Sequence, residues 1–76
     1  MPTVNLLFLA AFRDVAGNDR IRLDAATPRD ALTQLGILDA IVQQTPIIAV
    51  NQQIQSLDTA LSDGDEVAFM PPMTGG

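Results

Sequence analysis

Hydrophobic and polar positions along the 76-residue chain fall into short blocks of two different periods. Thr3 to Leu9 is a dense apolar run of strand length and predicts a strand central in a sheet. Ala10 to Ala16 places Phe12, Val15 and Ala16 at helical spacing and stops at Gly17, which predicts one or two helical turns. Arg20 to Asp24 alternates polar and apolar, the period of a half-buried strand with Ile21 and Leu23 inward and both arginines toward solvent. Thr27 Pro28 Arg29 Asp30 carries helix-start chemistry: a capping threonine, proline at the first helical position, and a carboxylate near the positive end of the dipole. Ala31, Leu35, Leu38 and Val42 then share one face, widened by Leu32 and Ile41. Gly36 interrupts that stripe. One continuous helix could absorb the glycine at a cost of roughly 1 kcal/mol relative to alanine. Because Ile37 lies off the stripe, a first helix ending at Gly36 and a short second one are preferred.

Pro46 to Val50 predicts another strand, and Asn51 and Gln52 a turn. Ile54 stands alone between two glutamines; pattern alone directs it to the core, with an exposed docking anchor as the alternative. Ser62 Asp63 Gly64 Asp65 predicts a tight turn, and Glu66 to Met70 the last strand. The order fits a two-layer α+β domain, a small mixed sheet with its main helix on one face and its first and last strands central and parallel.

Residues 1–70 then form the domain and residues 71–76 an extended tail leaving a rigid strand. Pro71 and Pro72 fix φ and lack a backbone N–H, so they end strand pairing and extend the chain. Met70 and Met73, on either side of them, suit exposure on a docking surface. After Thr74, Gly75 and Gly76 carry no side chains, which suits threading into a channel too narrow for any other residue.

Composition narrows the chemistry. Cysteine and histidine are both absent, which excludes thiolate and imidazole metal sites, cysteine nucleophiles and a Ser-His-Asp triad within this chain. Autonomous catalysis is not expected. Asp63, Asp65 and Glu66 lack the ligand spacing of a twelve-residue calcium loop and read as a solvated turn. The net charge of −5, with four arginines as the whole cationic complement, argues against nucleic acid and for a partner with a basic docking surface. The run from Val4 to Ala11 is too short to span a bilayer and has no basic segment before it. A cytoplasmic protein without membrane contact is expected.

Ala49 Val50 Asn51 Gln52, then Leu61 to Ala68, then Pro71 Pro72 and Gly75 Gly76 closely resemble the small subunit of molybdopterin synthase, the MoaD family. The resemblance extends to Phe12 Arg13 Asp14 before Gly17 and to the Thr27 Pro28 helix start. It implies the β-grasp fold shared with ubiquitin and the role of a sulfur carrier. Gly76 would be adenylated by an activating enzyme that uses ATP, converted to a thiocarboxylate by a sulfur donor system, and then donate sulfur to precursor Z, cyclic pyranopterin monophosphate. No permanently bound cofactor is implied. The catalytic acid-base groups would belong to a large subunit, joined with this chain in a heterotetramer. The tail residues Pro71, Pro72, Met73, Thr74 and Gly75 would thread into that partner, while Ile54, Phe69, Met70 and Arg13 would contact it. This position in the family pattern moves Ile54 from core to surface. Met70 stands where an aromatic is common in the family. Two alternatives share the resemblance: a sulfur carrier of thiamine biosynthesis, and a ubiquitin-like protein modifier or interaction module.

Overall fold

Backbone hydrogen bonding divides the chain, described over residues 1–72 of a computed structural model, into eight elements. These are β1 (Thr3–Phe8), α1 (Phe12–Ala16), β2 (Arg20–Asp24), α2 (Pro28–Gln34), α3 (Leu38–Val42), β3 (Ile47–Val50), β4 (Gln53–Ile54) and β5 (Glu66–Met70). The strands form one sheet in the order β2-β1-β5-β3-β4. β1 and β5 are parallel at its centre, and every other pairing is antiparallel. Strand alternation sends Val4, Leu6, Phe8, Ile48, Val50, Val67 and Phe69 to one face, where they pack with Phe12, Leu32 and Ile41 of the helices. Phe8 and Phe69 are register partners, and their rings stack with centroids 5.2 Å apart. Helices therefore cover one face only, the β-grasp arrangement.

The helical layer is broken in two at Gly36. Its φ of 72° lies in the left-handed region, which costs other L-residues about 1–2 kcal/mol. The Gly36 N–H donates to the Thr33 carbonyl and the Ile37 N–H to that of Leu32, closing α2 before α3 starts. The turn re-phases the second helix, so Ile41 is fully buried while Val42, expected inward on a continuous stripe, is 38% exposed. At the start of α2 the Thr27 hydroxyl accepts from the Asp30 N–H at 3.0 Å, and the Asp30 carboxylate accepts from the Ala26 N–H at 3.0 Å. No helix among the described residues is long and apolar enough to cross a membrane.

Candidate functional site

The face without helices carries the alternate members of the same strands, with Ala49 and Ala68 buried and Leu7 half-buried between exposed Arg20 and Ile54. Registers align Arg20, Leu7, Ala68, Ala49 and Ile54 in a single row running from β2 to β4. At about 4.8 Å per strand spacing, that row is roughly 19 Å long. A second row, Met70 beside Ile47, lies closer to where the chain leaves β5. Ile54 is 79% exposed at the open end of this apolar strip, which settles the choice that pattern alone had turned toward the core. The reason is register: β4 has two residues, and pairing with Ala49 fixes Ile54 on the open face.

Phe69 requires a correction. Expected as a partner contact, it is completely buried and lies on the opposite side of β5 from Met70, stacked on Phe8. Consecutive strand residues point to opposite faces, so Phe69 and Met70 cannot share one surface. Met70 is half-buried. Arg13 is exposed on α1 and folds back so that its Nε–H donates to the Ala10 carbonyl at 3.3 Å. Parallel pairing puts the end of β1, the turn holding Ala10 and the exit of β5 at the same end of the sheet, with the Leu9 N–H donating to the Phe69 carbonyl. Pro71 and Pro72 follow without strand pairing, half-buried. Met73, Thr74, Gly75 and Gly76 lie outside the described residues.

Asn51 and Asp65 hold this face in register, a role that the sequence showed only as two turns. Asn51 and Gln52 have φ of 50° and 70°, the left-handed pair that a tight two-residue hairpin requires. The Asn51 Nδ2 donates to Asp65 Oδ1 at 2.8 Å, and its Oδ1 accepts from the Glu66 N–H at 3.0 Å. Asp65 also accepts from the Ser62 N–H at 2.7 Å. That backbone donor first, and the Asn51 amide second, hold the Asp65 carboxyl below its ordinary value. The clasp ties the β3–β4 hairpin to the first residue of β5, and so positions Ile54 relative to the strand that carries the tail. An asparagine opening a two-residue turn was the available signal; its long-range partner was not.

The arrangement sets a largely apolar open face beside the strand that ends at Pro71. The sequence signature of the ThiS family matches residues 6–76, from β1 through the terminal glycines. The chain belongs to the ThiS family. Within this ThiS-family grouping, it is 38% identical to the molybdopterin synthase sulfur carrier subunit of Haemophilus influenzae, over 96% of this chain and 99% of that one. A Pyrococcus furiosus protein assigned as subunit 1 of a molybdopterin converting factor superposes with a TM-score of 0.78 at 26% identity, covering 96% of this chain and all of that one. The small archaeal modifier protein 1 of H. volcanii matches equally well, with a TM-score of 0.78 at 26% identity over 96% and 100% of the two chains.

Proposed function

We propose that this ThiS-family chain is the sulfur carrier subunit of a molybdopterin synthase. The observation that carries the reading is the 38% identity to such a subunit across nearly the whole of both chains. Gly76 is the proposed reacting residue. Its carboxylate oxygen attacks the α-phosphorus of ATP on an activating enzyme and pyrophosphate leaves, forming a mixed anhydride. Hydrosulfide supplied by the donor system then attacks the carbonyl carbon, AMP leaves and the proton is lost to solvent, giving the thiocarboxylate. This chain needs no acid-base group for either step, and its lack of histidine and cysteine is compatible with that division of labour.

The chain's own part is presentation. The open strip, with Ile54 and Met70, docks on the large subunit, and the strand exit directs Pro71 to Gly75 toward the partner's active site. There the thiocarboxylate yields its sulfur to cyclic pyranopterin monophosphate, and water restores the carboxylate. Two such carriers and two large subunits make the proposed heterotetramer, and no cofactor is held permanently by this chain.

Incubating the protein with the activating enzyme, ATP and a sulfur donor should raise its intact mass by roughly 16 Da, the excess of sulfur over oxygen. The product should form molybdopterin once the large subunit and precursor are added. Absence of a C-terminal adduct would sink the proposal. Likeness to an archaeal modifier protein supports a second reading, attachment to other proteins. An amide bond between Gly76 and a partner's lysine, with cofactor synthesis intact after Gly76 is deleted, would favour it.

A further inference from the structure

The docking strip has a charged end opposite Ile54. Arg20 and Arg22 project from β2 on the open face, Arg20 in the row of Leu7 and Ala68, Arg22 in the row of Asn5 and Glu66. The other two arginines are engaged within the chain: Arg29 in a two-point ion pair with Asp58, at 2.8 and 3.2 Å, and Arg13 on the Ala10 carbonyl. Among the described residues, Arg20 and Arg22 have neither an ion pair nor a side-chain hydrogen bond, although the chain carries nine carboxylate side chains. Beside them, Asn5, Leu7 and Glu66 help line a shallow cleft of about 190 Å³. That is below the roughly 300–1,000 Å³ of small-molecule sites, and fits an inserted side chain better than a free ligand.

We infer that Arg20 and Arg22 receive carboxylates of the large subunit, making the β2 edge the charged, specificity-setting end of the interface that Ile54 and Met70 begin. The inference rests on the proposed function. Its physical basis is charge complementarity on one continuous face. A chain of net charge −5 favours a basic partner overall, yet Arg20 and Arg22 stand here as neighbouring cations without ion pairs among the described residues, Asp24 being held on the Thr3 hydroxyl and Glu66 lying across Asn5, so a partner that docks in register meets them with carboxylates. Two planar guanidinium groups two residues apart on an edge strand can each donate a pair of N–H bonds to one carboxylate, and a rotated partner would set its apolar surface against them. Rim charges of this kind act chiefly on association rate and its salt dependence.

The test measures association of the full chain with the large subunit of molybdopterin synthase from the same source, across a range of ionic strength. The Arg20→Ala/Arg22→Ala variant should associate roughly tenfold more slowly at low salt and show a flatter salt dependence. Arg20→Glu/Arg22→Glu should bind still more weakly, and Arg20→Lys/Arg22→Lys should recover most of the low-salt rate. Thermal melts of each variant separate lost binding from lost folding. If the unaltered chain binds and the alanine variant matches it in rate and salt slope, this inference is overturned while the proposed function stands. If the unaltered chain does not bind the large subunit at all, both fall.

Discussion

Ile54 and Phe69 are large apolar side chains on neighbouring parts of one sheet, and the sheet treats them oppositely. Ile54 is 79% exposed and supports little of the fold, whereas Phe69 is fully enclosed and stacked on Phe8. Substitution should separate their roles. Ile54→Asp is expected to change stability by no more than about 0.5 kcal/mol, the range for surface sites, while weakening large-subunit binding at least tenfold. Phe69→Ala should cost about 3–5 kcal/mol, the penalty for emptying an aromatic core site. Denaturant titration and binding of both variants check the contrast; a large stability loss in Ile54→Asp would mean that the isoleucine supports the core after all.

Elements hold their relative positions through contacts distant in sequence. The Asn51–Asp65 clasp joins the β3–β4 hairpin to β5, and the Thr3 N–H donates to Asp63 of the adjoining turn at 2.8 Å. Because hydrogen bonds favour the ionised Asp65, its folded pKa lies below its unfolded one. Its stabilising contribution is then complete above the ordinary value of 3.8 and is lost as pH falls through the lowered folded value. Wild-type protein should accordingly exceed Asp65→Asn in stability at neutral pH, and the gap should narrow as pH drops below 3.8. Melting both proteins across acidic pH tests this; a gap independent of pH would exclude the ionised clasp as its source.

For the whole molecule, the central parallel pair links docking to delivery. β1 and β5 run side by side, so the face proposed to meet the partner and the strand that leads to Pro71 belong to one sheet. Among the described residues, the core ends at Phe69. Adding one residue after Gly76 should therefore abolish thiocarboxylate formation while leaving the thermal melt unchanged. Mass spectrometry of the extended chain with the activating enzyme provides the measurement, and normal thiocarboxylation would refute the need for a terminal glycine carboxylate.

The sequence alone determined the element order, the Thr27 cap, the turn signals at Gly17 and Gly64, the alternation of β2, and the Pro-Pro to Gly-Gly tail. Each depends on φ preference, capping or spacing within a few residues. The helix break was legible at Gly36, but the new phase of α3, with Ile41 inward and Val42 outward, was not. Only tertiary structure decided which apolar residues of the central strands face the helices and which lie on the open face. β1 and β5 are apolar on both faces, so Leu7 looks like Leu6, and Met70 like Phe69, until a helix covers one side and not the other. Pairing with Ala49 exposed Ile54, and pairing with Asn5 and Leu7 placed Arg22 and Arg20 at the far end of the same face. Those positions depend on register between distant strands, which local spacing does not encode.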